Sequence, residues 1–117
     1  MSWILVGGVC GFLGVALGAF GAHALRRSLS AEQLAWWTTA THHLLIHALA
    51  LVGVGLLQRA ELRAGPAGWA FLAGMLLFSG TLFAMALGAP RWLGAITPLG
   101  GLGLLAGWAL LAWSGRA

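Results

Sequence analysis

Formal charge interrupts this chain at only four places: Arg26, Arg27 and Glu32; Arg59, Glu61 and Arg63; Arg91; and Arg116. Between them run charge-free stretches, 1–25, 33–58, 64–90 and 92–115. Each can supply the roughly 20 apolar residues that cross a hydrocarbon core of about 30 Å. A soluble domain has about a quarter of its residues charged, whereas here 7% of 117 are charged and 61% are hydrophobic, with a mean hydropathy of +0.95. The 19 Gly and seven Trp point the same way, because both are frequent in helical membrane proteins. These observations exclude a water-soluble globule. They predict one all-α domain, an integral membrane bundle of four transmembrane helices spanning about 3–24, 38–58, 67–89 and 94–114.

The high isoelectric point comes from a net charge of only +4, with no basic run longer than Arg26-Arg27. Nucleic-acid binding needs a basic patch or stripe, so the lipid bilayer is the expected partner. Cys10 is the only cysteine, which excludes an intramolecular disulfide and a cysteine-based zinc site.

Backbone punctuation agrees with four spans. Pro66 precedes the third, Pro90 follows it, and Thr97-Pro98 reads as a helix cap followed by the first helical position. The fourth helix is then expected over 98–113, with a non-helical approach through 92–96. Ser30 and Gln33 have capping-box spacing, and Leu29 with Leu34 suits a hydrophobic staple. That starts the second helix at Ala31, so residues 31–37 either stand proud of the bilayer or form an interfacial helix along it.

Six of the Trp residues are expected at the two interfaces: Trp3, Trp69 and Trp113 on the side of the termini, Trp36, Trp37 and Trp92 on the other, with Trp108 deeper. Arginines divide three and three between the sides, so no positive-inside signal sets the orientation. Ala22-His23-Ala24 mimics a signal-peptide cleavage site. No basic residue precedes the apolar run, however, and the run is longer than the usual 7 to 15 residues or so, so the first span is expected to stay in the mature protein.

Gly7, Gly11, Gly14, Gly18 and Gly21 recur at alternating spacings of four and three, which places them on one seam of the first helix. Shorter seams are Gly100, Gly103 and Gly107 in the fourth span and Gly80, Ala84 and Gly88 in the third. In lipid, helices associate through close packing, and a seam without side chains admits a neighbouring backbone. The first reading is that these glycines pack the four helices on one another. The alternative makes the first helix a homo-oligomer contact.

Ionisable residues inside a membrane are functional candidates by default. His43 and His47 share a helix face, with the membrane taken to begin near Thr41 and His47 about 10 Å below it, while His42 points away. His23 ends the first span on the same side. His23, His43 and His47 together have the ligand count of an open metal site but lack a carboxylate or thiolate, so no metal is expected. Proton transfer through His43 and His47 would need polar continuity to the far side, which no other intramembrane ionisable residue supplies. The simplest role for His47 is a hydrogen bond to a carbonyl or hydroxyl of another span. Hydroxyls at Thr38, Thr39, Thr41, Ser79, Thr81 and Thr97 are expected to serve similarly. No nucleophile, base and orienting acid can be assembled, because Glu32 and Glu61 lie outside the membrane on opposite sides.

The strings GAFGAHAL (18–25), TATHHLLIHALAL (39–51), LFSGTLF (77–83) and ITPLGG (96–101) resemble the small four-span proteins grouped as domain of unknown function 423, related to transmembrane protein 256. In that resemblance His23 and His47 fall on the motif histidines, and Ser79, Gly80, Thr97, Pro98 and Gly101 on other characteristic positions. His42-His43 and Phe83 depart from it, where such proteins often carry Gln or Arg followed by Tyr, and Tyr. The resemblance implies a bacterial plasma-membrane protein and supplies no activity. The resulting expectation is a polar cluster of His23, His47, Ser79 and Thr97 near the side opposite the termini. The protein itself is expected to be a non-enzymatic structural or accessory component, without a cofactor, acting in a homo-oligomer or larger membrane complex. The alternative is a small proton, ion or solute transporter or channel that uses His47.

Overall fold

A computed structural model describes residues 1–116. Four α-helices follow one another: α1 (Trp3–His23), α2 (Ala31–Arg59), α3 (Gly65–Ala86) and α4 (Thr97–Ser114), with a 3-10 turn over Arg91–Ala95. All four are long and apolar enough to cross a membrane, the fourth when counted together with its 3-10 turn. The all-α architecture read from the charge spacing is the one observed.

Local chemistry sets the helix ends. Ser2 accepts from the Leu5 amide at the start of α1. At α2 the capping box is complete: Gln33 N–H donates to Ser30 Oγ at 3.1 Å, and Ser30 N–H to Gln33 Oε1 at 2.9 Å. The helix runs unbroken from Ala31 to Arg59, so 31–37 is the first part of α2 and not a separate helix. At α4 the expected cap is corrected. Thr97 is already helical, its hydroxyl donates to Leu93 O at 3.3 Å, and the approach is itself a 3-10 turn.

Two helices end in the same way. Ala89 N–H donates to Ala84 O and Gly88 N–H to Met85 O, the two bonds of a Schellman motif, with Gly88 at φ +108°. Gly88 is therefore a helix stop and not part of a packing seam. Leu62 and Glu61 make the same two bonds, to Leu57 and Gln58, at the end of α2. There the left-handed position is held by Glu61 at φ 64°, where a side chain costs about 1–2 kcal/mol.

Successive helices pack in chain order, α1 on α2, α2 on α3 and α3 on α4. The first seam faces α2: Gly7 lies against Ala48 and Val52, Gly11 against Ala48, Gly14 against Leu45, Gly18 against Thr41 and Gly21 against Trp37. The fourth-span seam faces α3, with Gly100 on the Phe78 backbone, Gly103 on Gly74 and Gly107 on Phe71. On α3 the packing glycines are Gly68, under Trp3, and Gly74, against Leu104. Gly80 is exposed with open space around its Cα, so the expected seam of Gly80, Ala84 and Gly88 does not form; α3 turns a different face to its neighbours.

The core is centred on Trp3, Leu51, Val54, Phe71, Met75 and Leu104. Trp3 and Trp37, expected at the interfaces, are only 2% and 5% exposed. Each fills the hollow over a glycine, Gly68 and Gly21 respectively, and Trp37 Nε1–H donates to Leu17 O at 2.8 Å. Trp69, Trp92 and Trp113 are exposed, with the Arg116 guanidinium 3.7 Å over the Trp113 ring. Large apolar side chains such as Leu5, Phe12, Leu49 and Leu105 point outward, as a lipid-solvated surface requires.

Candidate functional site

The middle of the molecule can be located from helix register. Gly14, near the centre of α1, touches Leu45, the centre of α2, and Gly74, near the centre of α3, touches Leu104. A hydrocarbon core of about 30 Å centred on Leu45 reaches roughly ten residues either way along α2. With that centring its edge falls near Ala35. His43 and His47 straddle the centre of α2, each about 3 Å from it along the axis.

His47 is 4% exposed and both of its ring nitrogens are engaged. Nδ1 lies 2.7 Å from the His43 carbonyl, which can only accept, so Nδ1 carries the proton. Nε2 accepts from Trp108 Nε1–H at 3.0 Å, and an indole nitrogen can only donate. The two partners thus select one neutral tautomer. The Trp108 bond ties α2 to α4, two helices that are not adjacent in the chain. Phe71 closes the cluster, its ring centroid 5.6 Å from His47 and 5.0 Å from Trp108.

The other polar groups of the spans act in separate places. Ser79 Oγ–H donates to Ala40 O at 2.8 Å, joining α3 to α2. Thr81 and Thr97 share a hydroxyl–hydroxyl bond of 2.6 Å that joins α3 to α4. Thr41 bonds back to Trp37 O within its own helix. His23 is exposed at the end of α1, near the level of Trp37, which lies about 15 Å along α2 from His47. His23, His47, Ser79 and Thr97 are therefore not one cluster. Among the described residues no three metal-binding side chains converge, so the set His23, His43 and His47 is not assembled either.

His43 stacks on His47 with ring centroids 5.8 Å apart and lies 4.5 Å from the Phe78 ring. Its Nδ1 is buried without a hydrogen-bond partner. Beside it a groove of about 520 Å³ opens between α2, α3 and α4, lined by the rings of His43, His47, Phe78 and Trp108 and by aliphatic side chains such as Ile46 and Leu105. A second cleft, of about 380 Å³, lies at the opposite-to-termini end between α1 and α2, where Arg26 and His42 reach its rim. On that side Glu32 and Arg91 form an exposed ion pair, with the Arg91 guanidinium 5.4 Å over the Trp36 ring.

A family model described as a protein of unknown function, DUF423, matches residues 17–101. The chain belongs to the DUF423 family. A UPF0382 membrane protein of Staphylococcus haemolyticus is 39% identical over 110 residues, covering 93% of this chain and 90% of its own. The UPF0382 inner membrane protein YgdD of Escherichia coli K12 is 38% identical over 114 residues, covering 92% and 84%. No solved structure matches. With four apolar helices and relatives of this kind, the chain is a multi-pass integral membrane protein, in keeping with the plasma-membrane location the resemblance implied. The matched segment includes His43, His47 and Gly101 of the groove lining and ends before Trp108.

Sequence reasoning missed the partners more than the residues. The sequence singles out His47, but not the indole that fixes its tautomer. The one available signal was that Trp108 sits deeper than an interfacial Trp should.

Proposed function

We propose that this DUF423 protein is a non-enzymatic accessory component of the membrane, working with copies of itself or as a subunit of a larger assembly. The observation that carries this reading is the state of His47. A proton-passing histidine needs a nitrogen that can exchange its partner, yet both nitrogens here are spent on holding α2 to its own backbone and to α4. The buried hydroxyl of Ser79 is likewise consumed as a strut between helices. The two carboxylates offer no chemistry inside the membrane, since Glu32 is paired with Arg91 at the surface and Glu61 forms the stop after α2.

Native mass spectrometry of the protein released from its own membrane tests the reading directly, and a discrete homo-oligomer or a stoichiometric partner is expected. Reconstituted into liposomes, the purified protein is expected to produce no pH-driven flux. A flux that His47→Ala abolishes while the helices remain folded would refute the accessory role in favour of transport.

A further inference from the structure

The two ends of the bundle differ in how their charges are met. At the end holding the termini, Glu61 lies between Arg59 and Arg63 in the chain. At the opposite end the one carboxylate, Glu32, is taken by Arg91, and Arg26 and Arg27 have no acidic partner among the described residues. Arg26 is exposed and lines the cleft of about 380 Å³ between α1 and α2. Trp37 Nε1–H and the Thr41 hydroxyl, which also line it, are spent on Leu17 O and Trp37 O, so Arg26, Thr38 and His42 remain to donate. No carboxylate lines the cleft.

The crevice continues along the same two helices as an apolar groove. A second hollow, of about 330 Å³, is lined only by apolar residues, among them Val15, Leu45 and Leu49, and Val15 and Leu49 are exposed. Both hollows use the same faces. On α2, Thr38, His42, Leu45, Leu49 and Val52 recur at spacings of four and three, and on α1, Gly7, Gly11, Val15, Gly18 and Ala22 fall on one stripe. The run from His42 to Val52 covers about 15 Å along the axis. That is half of a hydrocarbon core of about 30 Å, the share of one leaflet.

We propose that this crevice holds one acidic phospholipid, its phosphate at Arg26, Thr38 and His42 and one acyl chain along Val15, Leu45 and Leu49. Charge complementarity favours an acidic head: basic pockets between membrane helices take anionic headgroups, whereas choline or ethanolamine would bring a cation beside Arg26 and Arg27 with no carboxylate in the lining to meet it. The length of the crevice favours a lipid over free phosphate, which would leave the apolar groove beyond His42 uncovered. Such a lipid site goes beyond the accessory role and does not depend on it, since it is compatible with either outcome of the flux experiment.

The test offers the full chain, in detergent micelles, equal amounts of phosphatidylglycerol and phosphatidylcholine and reads the bound lipid by native mass spectrometry. In parallel, a phosphatidylglycerol with a diazirine in one acyl chain is photolysed and the labelled residues are mapped. Phosphatidylglycerol is expected to be held about fivefold more tightly than phosphatidylcholine, with labels on Val15, Leu45 or Leu49 that unlabelled phosphatidylglycerol removes. Arg26→Gln is expected to weaken phosphatidylglycerol binding about fivefold, the equivalent of about 1 kcal/mol for one arginine at an anionic headgroup. Arg63→Gln makes the same change of charge at the other end and is expected to leave binding unchanged. Arg26 has no ion-pair partner among the described residues, so its replacement should leave the fold intact, and the wild-type lipid preference and label map decide the matter even if that variant fails to fold. Equal retention of the two lipids, equal losses in the two variants, or labels spread over outward residues such as Phe12 and Leu105 would overturn the inference. So would displacement of phosphatidylglycerol by inorganic phosphate at the same concentration, which would make the site one for a free anion. An unlabelled crevice in a discrete oligomer would overturn it too, and assign the groove to a second copy of the chain.

Discussion

Gly7 and Gly8 are neighbours on α1, and their replacement by Ala should have opposite effects. A Cβ on Gly7 would lie 2.8 Å from Ala48 O, Val52 N and Val52 Cγ2, whereas a Cβ on Gly8 would meet nothing within 4 Å. Ordinary contact begins near 3.4 Å, so Gly7→Ala must push α1 away from α2 by about 0.6 Å. Two of the three obstructing atoms are backbone and cannot rotate aside. A gap of that order forfeits about a quarter of each affected dispersion contact, and overpacking of this kind costs about 1–3 kcal/mol. Both substitutions gain up to about 1 kcal/mol of helix propensity, which cancels in the comparison. Gly7→Ala should therefore be about 1–3 kcal/mol less stable than Gly8→Ala in reversible unfolding by SDS in mixed micelles, with Gly8→Ala at or above the wild type. Equal midpoints would refute the assignment of the seam to α2. A changed oligomer with an unchanged monomer midpoint would instead favour a contact between copies.

Trp108→Phe should cost about 0.5–1.5 kcal/mol by removing the donor to His47, and a double-mutant cycle with His47→Phe should show coupling of about 0.6–1.7 kcal/mol in the same unfolding assay. Glu61→Gly should stabilise by about 1 kcal/mol, because it relieves the left-handed strain at the end of α2; destabilisation would place the chain in another turn. Ser30→Ala should cost about 1 kcal/mol and speed amide exchange over the first turn of α2, whereas Glu32→Gln, breaking an exposed ion pair, should change stability by less than about 1 kcal/mol.

The features legible in the sequence are local or additive. Four spans followed from where eight charges fall, because transfer to hydrocarbon sums along a segment whatever it packs against. The Ser30–Gln33 box was readable because both partners lie within one turn. The seam of Gly7, Gly11, Gly14, Gly18 and Gly21 was legible as a seam, since period alone puts its members on one face, but not which helix it would meet.

Only tertiary structure decided the rest. Gly80 looked like a packing position and is an open surface, because the rotation of α3 is set by its neighbours and not by its own composition. Trp3 and Trp37 had the position of interfacial residues and became core, since a glycine opposite each one leaves a hollow that an indole fills. His47 meets Trp108 across 61 residues of sequence, and that contact makes one histidine of α2 a strut. His43, on the same face, has no such partner. The sequence by itself determined the solvent, the number of crossings and their ends; which polar group stays unpaired depends on how the helices rotate against one another, which no single segment encodes.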